Sequence, residues 1–268
     1  MTVISQSIKW LLKLIMNDLQ HPTAIYQALF VSTYWNRLIK KVRLSLGAGL
    51  ILLISVSGQV SAQGQMPSEI YPSKHYLFYM HGHFIELKGL SGSHPRYGIY
   101  EWANIVDTFK AKGFVVVSEA RENEVQPVRY AKGVANAVNK LLSKGVPPEN
   151  ITVSGHSKGA LMSWLTSGFV ANPNVNYVIM ASCPPEGTRF RRGFNRFLRR
   201  GASNVTGRIL NLYDVSDDIG GSCAEVFERA GKVSSKELSF DTGKGHGLFY
   251  APQNNWINAA SNWAMGEN

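Results

Sequence analysis

Residues 151–164 read ITVSGHSKGALMSW and contain one side chain placed to act as a nucleophile. Ser157 lies in Gly155-His156-Ser157-Lys158-Gly159, a G-x-S-x-G pattern between a strand-like run and a helix-like run. Glycines at the outer positions let strand and helix approach closely around a sharply turned serine. The helix that follows would offer its first free N–H groups, that of Lys158 among them, to a developing oxyanion. A serine hydroxyl needs a base to take its proton, and that base needs an orienting acid. DTGKGHGLFY (241–250) supplies His246 between two glycines, and YDVSDDIGG (213–221) supplies Asp217. The chain order Ser157, Asp217, His246 suits a nucleophile carried on a strand–turn–helix.

These residues need a scaffold. HYLFYMHG (75–82), FVVVSEA (114–120), ITVSG (151–155), YVIMAS (177–182), RILNLYD (208–214) and KELSF (236–240) read as short strands. Helical spacing and stop signals mark 100–112, 127–144, 158–170, 222–230 and 254–264 as helices. In the second of these, Val128, Ala131, Val134, Ala135, Val138 and Leu141 fall on one side. The alternation predicts an α/β fold with a mainly parallel sheet of about six strands and helices on both faces. Ligands bind such sheets at the carboxyl ends of the strands, where Ser157, Asp217 and His246 fall.

With these motifs the chain resembles the α/β-hydrolase superfamily across about residues 74–264. The likeness is closest to bacterial members with HG-x-x-x-E after the first core strand, here His81-Gly82 to Glu86. It implies a reduced core lacking the first two strands of the full sheet, with room for one irregular strand before Lys74. It implies Ser157 as nucleophile, His246 as base and Asp217 as acid, with Asp214 and Asp218 as rival acids. It also implies an oxyanion hole from the backbone N–H groups of Lys158 and His83, with Phe84 as the alternative to His83. The expected activity is a serine hydrolase acting on a carboxylic ester or thioester through an acyl-enzyme. Peptidase, amidase and acyltransferase chemistry remain open to the same triad. The expected substrate is a small-molecule or lipid-like acyl compound, and no metal or organic cofactor is required.

Two alternatives compete with this reading. His81, His83 and His156 would serve a zinc hydrolase if their rings converged, although no helical H-x-x-x-H pair or carboxylate supports that. A non-catalytic binding protein on the same fold, at an envelope or membrane surface, is the rival outside the enzymes. Glu86, Glu119 and Arg121 also fall near carboxyl strand ends, where structural pairing is the expected role. TGKGHG (242–247) lacks the spacing of a phosphate loop.

The net charge of +10 is concentrated rather than spread over a groove, which argues against nucleic-acid binding. Much of it lies in residues 1–62 and in Arg189, Arg191, Arg192, Arg196, Arg199 and Arg200. Those arginines belong to a cap-like insertion, 184–206, whose Phe190, Phe194, Phe197 and Leu198 would form an apolar helix face. Such an insertion would guard a pocket or meet an anionic surface. Residues 40–62 resemble a secretory leader, with Lys40, Lys41 and Arg43 before a short apolar run and Val60-Ser61-Ala62 at its end. Export to the periplasm or medium is expected, with an N-terminal membrane anchor as the alternative. Residues 1–39 form an extension of uncertain start, and 63–268 the hydrolase-like domain. Cys183 and Cys223 would pair in an oxidising compartment.

Overall fold

The computed structural model describes residues 66–121, 124–231 and 233–267. The extension 1–39 and the leader-like 40–62 lie outside them. Six strands form one sheet in the order β4-β1-β5-β6-β7-β8, and every neighbouring pair is parallel. They are β1 (Tyr76–Met80), β4 (Val115–Val117), β5 (Ile151–His156), β6 (Asn176–Met180), β7 (Gly207–Asp214) and β8 (Val233–Phe240). The strand count and direction are those expected from sequence. The irregular strand allowed for before Lys74 is not found among the described residues, where 66–75 run as turns and coil. Pro67 and Pro72 cannot donate to a ladder there.

The two-residue period of the strands divides the core between two faces. Tyr76, Phe78 and Met80 of β1 join Val153, Tyr177, Ile179 and Ile209 on one side. Leu77 and Tyr79 join Val178, Met180, Leu210 and Leu212 on the other. The first face is covered by α3 (Pro127–Ser143), α4 (Lys158–Val170), α5 (Arg191–Arg200) and α6 (Ala224–Ala230). The second is covered by α2 (Trp102–Ala111) and α7 (Asn254–Met265). Covered on both sides, β1, β4 and β6 need little polar alternation and read as near-continuous hydrophobic runs, whereas the edge strand β8 is more polar and has no buried residue.

Three local results depart from the sequence reading. A six-residue helix, α1 (His83–Lys88), follows β1 directly. A two-stranded antiparallel hairpin, β2 (Ser93–His94) with β3 (Gly98–Ile99), comes before α2. Both are too short for periodicity to register. Val128, expected on the buried side of α3, is 51% exposed. It lies in the first turn, ahead of the part of the helix that reaches the sheet.

Cys183 and Cys223 are joined in a disulfide with a Cα–Cα distance of 5.3 Å. The bridge ties the segment after β6 to the residue that opens α6. Closing a loop of this length removes unfolded-state entropy worth about 4 kcal/mol.

Candidate active site

The serine turn is built by the two glycines around it. β5 ends at His156, α4 begins at Lys158, and Ser157 between them has φ 55° and ψ −113°. A non-glycine residue in such a region costs on the order of 1–3 kcal/mol and persists only when its surroundings enforce it. Here the Ser157 N–H donates to the Met180 carbonyl at 2.9 Å, tying the turn to β6. A Cβ on Gly155 would lie 2.2 Å from the Gly159 carbonyl oxygen, and one on Gly159 would lie 2.0 Å from that of Met80. Both glycines of G-x-S-x-G are therefore demanded by the packing of α4 against β5 and β1.

His246 lies in a short helical turn after β8, Gly245–Tyr250. Its Nδ1 is 2.9 Å from Asp217 Oδ2, and both side chains are almost wholly buried. Asp217 also accepts the Ile219 N–H at 2.9 Å. The rival aspartates have other partners. Asp214 accepts from the N–H and hydroxyl of both Ser216 and Thr242. Burial pushes the Asp214 carboxyl up, but these bonds outweigh it and hold the group below its ordinary range. Asp218 is exposed and meets Arg96 at 3.2 Å. Asp214 thus shapes the turn from which Asp217 reaches His246.

Ser157 and His246 line one cavity of about 510 Å³, together with His83 and Lys158. That volume suits a small-molecule site. Its wall is largely apolar, with Val125, Leu161, Phe194 and Ile219. His83 is the first residue of α1 and Lys158 the first of α4, so neither backbone N–H has a partner within its own helix. Phe84, the alternative donor, does not line the cavity.

The histidines do not converge as metal ligands. His81 Nε2 accepts the Arg121 N–H at 2.8 Å, so Nδ1 carries the proton and donates to the Gly82 carbonyl at 2.7 Å. Burial, then the Arg121 charge, holds His81 well below its ordinary range and keeps it neutral. His83 pairs with Glu124 at 2.8 Å. His156 is buried at 3.1 Å from the Tyr100 hydroxyl and packs its ring 4.7 Å from that of His246. Among the described residues no group of three His, Cys, Asp or Glu is placed to hold a metal ion.

Glu86 is wholly buried between Arg121 Nε at 2.9 Å and Lys158 Nζ at 2.5 Å. Burial holds the Glu119 carboxyl above its ordinary range, with Tyr130 and Arg121 beside it. The Lys158 side chain was not expected in this network, because sequence spacing shows no link between residues 72 positions apart. The aromatic wall beside His246 was also missed. The Tyr97 ring lies 6.2 Å from the His246 ring, and Tyr250 packs on Tyr97 and Tyr100. Tyr97 comes from the unforeseen hairpin segment.

The insertion forms α5 over the cavity, contributing Phe190, Gly193 and Phe194 to its wall. Phe194, Phe197 and Leu198 are buried, with Phe197 6.1 Å from the Trp164 ring. Phe190, expected on the same face, is 43% exposed at the cavity wall. Arg189, Arg192, Arg196, Arg199 and Arg200 face solvent. Arg191 departs from them, because it is largely buried and pairs with Glu186 and Glu225 at 2.7 Å each.

No family model and no curated protein matches this sequence. Solved structures do match. A protein described as a candidate carboxylesterase from Lactobacillus plantarum aligns with a TM-score of 0.50 and 14% identity, over 74% of this chain and 91% of that one. SOBER1 from Arabidopsis thaliana aligns with a TM-score of 0.46 and 12% identity, over 73% and 99%. A lipase-esterase related protein from Clostridium acetobutylicum aligns with a TM-score of 0.47 and 14% identity, over 72% and 96%. The likeness to the Lactobacillus protein is one of fold. Taken with the six-stranded parallel sheet and the serine turn between β5 and α4, it establishes that this chain has the α/β-hydrolase fold.

Proposed function

We propose that the protein is a serine hydrolase that cleaves carboxylic esters or thioesters. One observation carries the reading: a strained Ser157 shares a cavity with His246, whose Nδ1 lies 2.9 Å from a buried Asp217. Asp217 holds the imidazole with its proton on Nδ1, leaving Nε2 free to take the proton of Ser157. The serine oxygen attacks the substrate carbonyl, and the N–H groups of Lys158 and His83 receive the oxyanion. His246 then protonates the leaving group, and a water activated by the same imidazole clears the acyl-enzyme. The apolar wall favours an acyl group with little polarity. The support comes from this chain's own residues, since 14% identity extends to the neighbour's fold and no further.

The test is intact-mass analysis of the full chain after exposure to a fluorophosphonate, beside Ser157→Ala. One adduct on wild type and none on the variant is expected. Turnover of an ester panel by Ser157→Ala should fall by roughly 10⁴-fold or more. A folded wild-type protein that takes no adduct would shift the reading to a non-catalytic binding protein.

A second contact is proposed for α5. Four of its arginines, Arg192, Arg196, Arg199 and Arg200, and Arg189 just before it face solvent on the helix that gives Gly193 and Phe194 to the cavity wall, and no acid on the helix offsets them. They would hold the enzyme on an anionic surface that presents acyl substrates. Ser157→Ala should sediment with vesicles containing phosphatidylglycerol and not with phosphatidylcholine alone. Binding should fade at high salt and in Arg192→Gln/Arg196→Gln. Equal binding to both vesicle types would refute this contact.

A further inference from the structure

Glu86 is a carboxylate with no exposed side-chain surface, a placement that costs several kcal/mol unless the group is fully paired. It stands three residues after His83 on α1, so the two share one short rigid element. One carboxylate oxygen accepts from Arg121 Nε at 2.9 Å. The other accepts from Lys158 Nζ at 2.5 Å and from the Val125 N–H at 3.2 Å. Arg121 reaches on to the His81 carbonyl through Nη2 and to His81 Nε2 through its backbone N–H. A single carboxylate therefore joins the loop after β1, helix α1, the segment after β4 and the first residue of α4. Two of these segments carry the backbone donors assigned above to the oxyanion.

We infer that Glu86 is a positioning residue that sets the spacing of the His83 and Lys158 N–H groups by cross-linking α1 to the head of α4. The inference rests on the serine-hydrolase reading. His83 opens a helix of only six residues whose core anchor is Ile85 on the far side of the sheet from α4, so Glu86 supplies the link between its N–H and the head of α4. The Lys158 ammonium supplies one end of that tether, while its own backbone N–H remains free for the oxyanion. An oxyanion hole acts through preorganised distances, and small displacements of its donors lower the rate without altering substrate affinity.

The test compares Lys158→Met, Lys158→Arg, Glu86→Gln and the double variant Glu86→Gln/Lys158→Met. Lys158→Met keeps the backbone N–H and the buried Glu86–Arg121 pair, so it retains the fold even where Glu86→Gln does not. Lys158→Met and Glu86→Gln should each lower kcat by roughly 10- to 100-fold. KM should stay within about threefold, because the Lys158 ammonium is engaged by Glu86 and the apolar wall of the cavity is kept. Affinity for a trifluoromethyl ketone, which mimics the tetrahedral adduct, should fall in step with kcat/KM. The double variant should be little worse than the worse single, as expected for two ends of one link. Lys158→Arg still reaches Glu86 and should recover most of kcat. An unchanged kcat in Lys158→Met, a loss confined to KM, or single effects that multiply would overturn the role. A wild type that takes no fluorophosphonate on Ser157 would instead overturn the hydrolase reading, and this role with it. Labelled wild type beside indifferent variants would overturn the role alone.

Discussion

Among the three aspartates of the β7–β8 segment, environment separates roles that residue type does not. Asp217 meets His246, Asp214 is saturated by Ser216 and Thr242, and Asp218 lies in solvent with Arg96. Asp217→Asn should leave the fold intact and lower kcat by about 10⁴-fold, because the amide favours the wrong imidazole tautomer. Asp218→Asn should leave both kcat and stability close to wild type, since exposed pairs contribute ~0–1 kcal/mol. Asp214→Asn should lower the melting temperature as well as the rate, because it loosens the turn that carries Asp217. Thermal melts and ester kinetics on the three variants would separate these outcomes.

At the scale of elements, the site depends on how closely α4 sits against β1 and β5. Gly159 makes that contact possible, since its Cβ position falls on the Met80 carbonyl. Gly159→Ala cannot be absorbed by a flexible side chain. It should push the head of α4 off β1 and lower stability by roughly 1–3 kcal/mol. It should also abolish ester turnover by displacing Ser157 and the Lys158 N–H together. Chemical denaturation beside kinetics would check this, and a Gly159→Ala protein with wild-type turnover would contradict the packing argument.

Across the whole molecule, two buried histidines link stability to pH. Burial comes first as the cause for both, followed by the charge of Arg121 for His81 and of His246 for His156. Both are held well below the ordinary histidine range in the folded state. Below about pH 6.5 the unfolded chain takes up protons that these two refuse, so stability falls as pH drops. Each adds up to about 1.4 kcal/mol per pH unit to that fall. Asp214 acts lower on the scale, since its depressed carboxyl stabilises the fold until it is protonated in stronger acid. Urea unfolding at pH 7.5, 6.5 and 5.5 should show a midpoint that drops steeply in the last interval (about the window of free histidine). A midpoint independent of pH across that window would show that the two imidazoles titrate normally.

Much of this protein was legible in its residues. The six apolar strands and the helices between them follow from hydrophobic period and from glycine and proline stops, which are local properties of the chain. The serine turn is local too, because strand, glycine, serine, glycine and helix are consecutive. Chain order and the turn after the β7 strand favoured Asp217 as the partner of His246 over its rivals Asp214 and Asp218, and the fold sets Asp217 against the imidazole. The tertiary structure alone decided the rest. Glu86, Arg121 and Lys158 meet across separations of 35 and 72 positions, and Arg191 turns inward to Glu186 and Glu225 while its neighbours face out. Tyr97 reaches His246 from a hairpin of two-residue strands. Periodicity reports which face of an element is buried, whereas contacts between loops at the end of a sheet depend on which strands become neighbours.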